Sequence, residues 1–418
     1  MTGSWGDVCV HCVELLARVP LHVTLTAVFA SVTGLFVLFY TLLYLVAPIP
    51  RESFPEEKKY RTLAKDGSIT KPERLPCWHD ALVDSKKKSG RIPDSPRVEP
   101  AELFMSVVVP AYNEEDRLAG MLEEAVNYLE RMYGTLATNS NRNATATATS
   151  DRKNTNTTRH RKPRNDQGSM CEEQKGWEIL IVSDGSKDKT EEVAFKFARD
   201  HQLSLHPKGY AGPWTPRPQE GVSIPPGAIR VVTITQNRGK GGAVTHGLRH
   251  VRGQYVVFAD ADGATKFDDL GKLVDASKEI EDAGGRAVAV GSRAHMVGSE
   301  AVVKRSKLRN FLMHSFHLIL WLLTPAKTAT VKDTQCGFKL FSRASLPYIV
   351  PYMHSEGWIF DVEVLMLAEF AKIPVAEVAV GWREVTGSKL NVIRDSIGMA
   401  WGLAVLRAAW SLGVYRRS

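Results

Sequence analysis

The chain has 418 residues, 44% of them hydrophobic, and carries a formal net charge of +8. That length and apolar content suffice for one principal domain with attachments, without need of a second compact domain. The basic excess admits nucleic acid, anionic lipid or phosphorylated substrates as partners, but no aromatic-interleaved basic repeat or zinc-finger spacing occurs, which disfavours nucleic acid.

Residues 21–47 are apolar except for His22 and several hydroxyls. At about 1.5 Å per residue a helix there reaches ~40 Å, enough to cross a hydrocarbon layer of ~30 Å. The run is too long for a signal peptide, and Pro48-Ile-Pro50-Arg51 is no small-residue cleavage site, so a transmembrane anchor is expected. Arg18 stands alone before it, whereas Arg51, Lys58, Lys59 and Arg61 follow it. This asymmetry puts residues 1–20 in a short non-cytosolic tail and the large domain in the cytosol. Five scattered cysteines suit a reducing compartment, and Cys9-x-x-Cys12 has no partner pair.

Residues 48–102 are rich in proline and charge, include Lys86-Lys-Lys88, lack sustained periodicity, and read as a stem linker. Leu103 to Pro110 reads as a buried strand, and Glu114 to Tyr133 as a helix with apolar residues at Leu118, Leu122, Val126 and Leu129. Residues 135–176 hold few large apolar side chains and read as a disordered insertion. Its sequons at Asn143 and Asn156 stay unmodified in the cytosol. A strand is expected over Glu178 to Ser183, a loop from Asp184, a helix over Thr190 to Asp200, and a Pro- and Gly-rich loop insertion over 204–227. Strands over Ile229 to Thr235 and Tyr255 to Ala259 flank a helix over Gly241 to Val251. Such alternation predicts an α/β fold with a mostly parallel sheet and helices on both faces. Phe311 to Leu323 and Ile397 to Val414 are core helices or helices lying on the bilayer; Trp401, Trp410 and Arg416-Arg417 favour a membrane-interfacial segment over 396–418.

Ligands bind such sheets at the strand carboxyl ends, where loops at Ala111, Asp184, Asn237 and Asp260 are expected to converge. Asp260-Ala-Asp262 falls where a strand meets a glycine-bearing turn. Mg²⁺ or Mn²⁺ takes one or two carboxylates and fills its remaining positions with water and phosphate oxygens, so the pair suggests a nucleoside-diphosphate site; a solvated turn is the competing reading.

Val107-Val-Val-Pro-Ala-Tyr-Asn-Glu-Glu115, Ile181-Val-Ser-Asp-Gly-Ser186 and Ala259-Asp-Ala-Asp-Gly263, in this order, resemble the family 2 glycosyltransferases with the Rossmann-like GT-A fold. Asn237-Arg-Gly-Lys-Gly-Gly-Ala243, Asp333-Thr-Gln-Cys-Gly-Phe-Lys339 and Trp358-Ile-Phe-Asp-Val-Glu363 are similar to the dolichyl-phosphate β-glucosyltransferase branch, with residues 103–395 as the GT-A domain. That resemblance implies inverting transfer of glucose from UDP-glucose to dolichyl phosphate at the cytosolic face of the endoplasmic reticulum membrane, supplying the lipid-linked donor for N-glycan assembly. It implies Mg²⁺ or Mn²⁺ on Asp260 and Asp262, and nucleotide binding by Pro110, Tyr112, Glu114, Asp184 and Lys240. Arg293, Arg305, Arg309 and Lys389 are assigned to the acceptor phosphate, Asp333, Gln335 and Lys339 to a donor or acceptor loop, and Asp361 to the catalytic set. Glu363 belongs with them or caps its helix. Ser183 departs from a second aspartate found in many relatives, and Ala264 from a polar residue near the metal in mannosyl-transferring ones, so diphosphate and water must complete the coordination.

Partners implied are UDP-glucose, dolichyl phosphate and membrane lipids, and no motif points to an obligate protein partner. The alternatives are a dolichyl-phosphate mannosyltransferase or other polyprenyl-phosphate glycosyltransferase, and a non-catalytic membrane-tethered scaffold. A processive polysaccharide synthase needs several spans and a Gln-x-x-Arg-Trp motif, and a dinucleotide oxidoreductase needs Gly-x-Gly-x-x-Gly; the sequence has neither.

Overall fold

The computed structural model describes residues 20–89, 98–134, 175–296, 320, 322–387 and 392–417. The insertion expected over 135–176 falls almost wholly outside these, as do Arg305, Arg309, Lys389, the tail 1–19 and most of Phe311 to Leu323. The chain divides into two compact units, Met1–Pro48 with Ala404–Arg417, and Ile49–Leu403.

In the smaller unit the helix Leu21–Val46 runs 26 residues with a mean hydropathy of 2.0 and exposes nearly all of its side chains, and among the described residues it alone is long and apolar enough to cross a membrane. Its threonine hydroxyls are satisfied within the helix: Thr24 donates to Leu21 O, Thr26 to Val23 O, Thr33 to Phe29 O and Thr41 to Val37 O. Back-bonding of this kind removes the cost of carrying hydroxyls through an apolar layer. At the other end of the same unit the Tyr415 hydroxyl donates to Pro48 O at 2.7 Å, and its ring meets Trp410 edge-on at 5.7 Å.

Among the described residues the larger unit is built on nine strands: β1 (Lys59–Arg61), β2 (Glu73–Arg74), β3 (Leu103–Ala111), β4 (Trp177–Asp184), β5 (Ile229–Ile234), β6 (Gly253–Ala259), β7 (Val288–Ser292), β8 (Phe338–Ser342) and β9 (Val375–Ala379). They form one sheet in the order β2-β1-β5-β4-β3-β6-β8-β7-β9. The central four, β5-β4-β3-β6, are parallel and almost wholly buried, as their unbroken apolar runs require. The flanks are mixed: β1 is antiparallel to β2 and β5, β8 to β6 and β7, and β7 is parallel to β9. Val107 and Val109 of β3 share a buried cluster with the helices Leu118–Tyr133, Thr190–Gln202 and Leu270–Ile280. Val108 and Val182, on the opposite face, meet Gly247 of the helix Gly239–Leu248, where an added Cβ would lie 2.4 Å from Val108 Cγ1. The sheet is thus covered on both faces, and the four parallel strands end on one side.

Residues 48–102 are not a linker over their described part. Two short strands and the helix Trp78–Ser89 lie there, with Leu63, Leu75 and Trp78 buried. Trp78 Nε1 donates to Leu248 O at 2.7 Å, while the buried Glu57 carboxylate pairs with Arg51 and accepts from Thr235 N and Oγ1. A carboxylate taken from water needs such partners, and together they make this segment an integral edge of the sheet.

Residues 204–227 are likewise packed. Glu123 accepts from His201 Nε2 and Tyr210 N, and Glu124 from the amides of Trp214 and Thr215, so adjacent carboxylates on one helix pin the loop at two places. The helix expected from Glu114 begins at Leu118, because Asn113 takes a left-handed φ of 54° and the Glu114 amide is captured by Thr190 Oγ1.

Candidate functional site at the carboxyl ends of the parallel strands

The four loops expected to converge do so through a chain of contacts. From the β3 loop, Asn113 N donates to Ser186 Oγ and its Oδ1 accepts from Lys187 N, which ties that loop to the one after β4. Asp184 ends β4; its Oδ1 accepts from Arg238 N at 2.7 Å, and its carbonyl accepts from Asn237 Nδ2, which ties β4 to the loop after β5. From that loop Lys240 Nζ reaches Asp260 Oδ1 at 2.6 Å, beyond the end of β6. Arg117 closes the circuit, pairing with Glu114 and approaching Asp262 Oδ2 at 4.0 Å.

Asp184 is buried, and burial pushes its carboxyl up to about 6 against the opposing pull of the Arg238 and Gly239 amides. It is therefore a carboxylate at neutral pH that still has acceptor capacity. Tyr112, 37% exposed, lies one residue before Asn113 on the adjoining loop.

Asp262 turns on itself, accepting from Ala264 N at 3.0 Å. Burial, and then the negative Asp260 beside it, push its pKa up. Lys240 is opposite in sign: burial pulls it down, but Asp260 and Asp361 outweigh that and leave it raised and firmly protonated. Lys240 thus neutralises Asp260, while Asp262 has the Arg117 guanidinium only at a distance. Among the described residues no group of three or more His, Cys, Asp or Glu forms a metal cage. One carboxylate matched by Lys240 and one short of positive charge, on a turn that water and phosphate can reach, fit a hard divalent cation that brings its own remaining ligands.

The glycines around Lys240 have a packing cause. An added Cβ on Gly239 would lie 2.7 Å from Glu356 O, on Gly241 2.7 Å from Ser355 O, and on Gly242 2.5 Å from Arg238 Cβ. They let the start of the helix Gly239–Leu248 lie against the segment 354–358, where Gly242 N donates to Glu356 O and the Arg238 guanidinium pairs with the Glu356 carboxylate. From below, Glu363 Oε2 accepts from His354 N at 3.0 Å and Ser355 N at 2.7 Å. Glu363 therefore anchors this segment and neither faces the cleft nor caps its own helix.

Gly337 shapes the metal turn. A Cβ there would lie 1.9 Å from Asp260 Oδ2, so the strand leading into β8 can pass under Asp260 only without a side chain. The buried Lys339 of β8 donates to Cys336 O and pairs with Asp361, at the start of the helix Phe360–Phe370. Burial pushes Asp361 up and Lys339 opposes it. Asp361 is an interior counter-ion to Lys339, and it adjoins the cleft through its field on Lys240.

The residues expected at the acceptor phosphate separate. Arg293 is engaged by Asp333, with Nε 2.7 Å from Oδ2 and Nη2 2.9 Å from Oδ1, and its guanidinium faces the Trp382 ring at 5.6 Å. The assignments of Arg293 to a phosphate and Asp333 to a sugar loop become a single ion pair that fixes the end of β7. Gln335 Nε2 donates to Met399 Sδ at 2.9 Å. Pro110 lies in β3, and Glu114 holds Arg117. Arg305, Arg309 and Lys389 lie outside the described residues. Arg117 and Arg238 were not anticipated; the acidic residue three positions before Arg117 was the signal for the first, and the Arg238–Glu356 pair spans 118 positions and leaves none.

A family model described as Glycosyl transferase family 2 matches residues 215–350. The dolichyl-phosphate β-glucosyltransferase of Saccharomyces cerevisiae is 37% identical over 397 residues, covering 94% of this chain and 95% of its own length. That of Homo sapiens is 36% identical over 358 residues, covering 84% and 90%. A crystal structure of Mycobacterium tuberculosis glucosyl-3-phosphoglycerate synthase with Mn²⁺, UDP-glucose and phosphoglyceric acid matches at a TM-score of 0.42 and 16% identity, over 80% of this chain and 85% of that one.

Proposed function

Because the chain belongs to the dolichyl-phosphate β-glucosyltransferase family, we propose that it transfers glucose from UDP-glucose to dolichyl phosphate with inversion. It is a glycosyltransferase, and its mixed sheet between helices is a GT-A-like α/β fold. The observation that carries the reaction is the convergence of Asp184, Lys240, Asp260 and Asp262 at the ends of three of the parallel strands, β4, β5 and β6.

Asp184 accepts from a donor N–H or O–H of the nucleoside, and Tyr112 lines the same end. Lys240, paired with Asp260 at 2.6 Å, is placed to turn onto a diphosphate oxygen. Asp260 and Asp262 would hold Mg²⁺ or Mn²⁺, which supplies charge stabilisation to the departing diphosphate. The acceptor phosphate monoester has a second pKa of about 6 and is a dianion at neutral pH, so its oxygen attacks the anomeric carbon without help from a base. The carbon–oxygen bond to UDP breaks, and UDP leaves with the electron pair. Asp361, held by Lys339, orients the helix Phe360–Phe370 and takes no proton.

Anchoring in the endoplasmic reticulum membrane with the catalytic unit in the cytosol is part of this proposal. The helix Leu21–Val46 and the basic residues after it support it, as do Ile397 and Trp401, four positions apart and both 64% exposed on the helix Val392–Ser411. Purified protein is to be incubated with dolichyl phosphate, Mg²⁺ and labelled UDP-glucose or GDP-mannose. Glucolipid is expected from UDP-glucose; lipid product from GDP-mannose alone would overturn the sugar assignment, and no product from either would favour a scaffold.

A further inference from the structure

Trp358 is 39% exposed although the segment carrying it is braced from two sides. Glu363 holds the amides of His354 and Ser355 from within, and Gly242 N and the Arg238 guanidinium hold Glu356 from the helix side. A large indole on a rigid mount in water forgoes the gain of burial, unless something else covers it.

Its position names the chemistry of that cover. The Trp358 ring centroid lies 5.9 Å from Lys240 Nζ, and that ammonium is 2.6 Å from Asp260 Oδ1. The indole therefore lies about one sugar ring from Asp260, beside the lysine proposed to meet the diphosphate. A hexose offers C–H groups on one face and hydroxyls at its edge, which suits a flat aromatic surface with a polar rim. The nucleoside end already has an aromatic neighbour in Tyr112.

We propose that Trp358 is the platform on which the transferred hexose of the nucleoside-diphosphate donor rests, and that it sets donor specificity. This inference rests on the donor reading of the site given above. The braced segment makes the platform rigid, so it selects a ring of the right height above Lys240. It is distinct from Asp361, three positions on, whose carboxylate is turned inward to Lys339.

UDP and UDP-glucose binding to the full chain in Mn²⁺ is to be measured by calorimetry for the natural protein, Trp358→Ala and Trp358→Phe, with thermal melts as a check on folding. The natural protein binds both ligands. Trp358→Ala weakens UDP-glucose about tenfold and leaves UDP within about twofold, and Trp358→Phe recovers most of the loss. In turnover, the KM for UDP-glucose rises and that for dolichyl phosphate is unchanged. Equal weakening of UDP and UDP-glucose, a rise confined to the dolichyl phosphate KM, or no change would each overturn the platform. Failure of the natural protein to bind either nucleotide would instead overturn the donor reading itself, and the platform with it.

Discussion

Lys240 and Asp260 form an ion pair, Nζ to Oδ1 2.6 Å, across the ends of two parallel-strand units, so the lysine proposed to meet phosphate is held by one of the two carboxylates proposed to hold a metal. The lysine and a divalent cation therefore compete for Asp260. Lys240→Met is expected to tighten Mn²⁺ binding several-fold in titration calorimetry while lowering kcat/KM by about 100-fold or more, a loss of about 2.7 kcal/mol in transition-state stabilisation. Asp262→Asn should melt normally yet lose turnover by about three orders of magnitude. Normal activity in Asp262→Asn would exclude these carboxylates from metal chemistry.

Gly337→Ala places a methyl group where Asp260 Oδ2 now lies, since the ideal Cβ falls 1.9 Å from that oxygen. Either the carboxylate or the strand must move by about 1 Å, a displacement that costs about 100-fold in rate at a precise site. Activity should fall by that factor with only a modest drop in Tm, and Gly398→Ala, whose Cβ would meet nothing within 4 Å on a backbone of ordinary φ, should leave activity unchanged.

Lys339 and Asp361 are both buried and bound to one another. Removing either partner leaves a charge stranded in the interior, so Lys339→Met and Asp361→Leu should each cost about 3–5 kcal/mol in chemical denaturation. The double substitution should recover most of that loss. If Asp361 acted instead as a base on substrate, Asp361→Asn would abolish turnover in a protein of undiminished stability.

Asp184 titrates at about 6, well above an ordinary aspartate, because it is buried. Its ionised form accepts from the nucleoside, so UDP affinity should rise with pH between about 5 and 7 and then level off. Binding near pH 6 should release protons, seen as a dependence of the calorimetric enthalpy on buffer. The sign for folding is the reverse. The native state holds this proton more tightly than the unfolded chain, so the group favours folding at pH below its native value and loses that contribution as pH rises from about 4 to 6. Asp184→Asn should flatten both profiles and weaken UDP at pH 8.

Deletion of residues 1–47 should leave a soluble, folded catalytic unit, whereas deletion through residue 100 should not. The longer cut removes β1 from the edge of β5 and exposes the surface covered by Leu63, Leu75 and Trp78. Expression and thermal melts of the two truncations check this, and a stable product from the longer deletion would restore a linker role to the segment.

The parallel centre of the sheet was legible because β3, β4 and β6 are apolar runs of strand length, each followed by a turn residue. The edge was not. β1 and β2 are three and two residues long, too short for any period, and the buried Glu57 looks in sequence like one more charge in a charged tract. Residues 204–227 carry the prolines and glycines of a free loop, and what fixes them is acceptance of their amides by Glu123 and Glu124, from a helix 87 to 90 positions earlier. At the site, Asp184, Lys240, Asp260 and Asp262 stood out through their motifs. Arg293 was assigned to the acceptor phosphate and Asp333 to a donor or acceptor loop because nothing in a separation of 40 positions announces a pair.

The two proposed substrates are both anions, and acidic side chains crowd the proposed cleft and the interior beneath it. Nearly all of these are already answered from inside the protein: Glu114 by Arg117, Glu356 by Arg238, Asp333 by Arg293, Asp361 by Lys339, and Glu363 by backbone amides. The answered carboxylates thus add little net negative charge for an arriving phosphate to meet. Charge reversal at any one of the answering cations would do more than loosen a contact: it would leave its partner's negative field aimed at two substrates of the same sign.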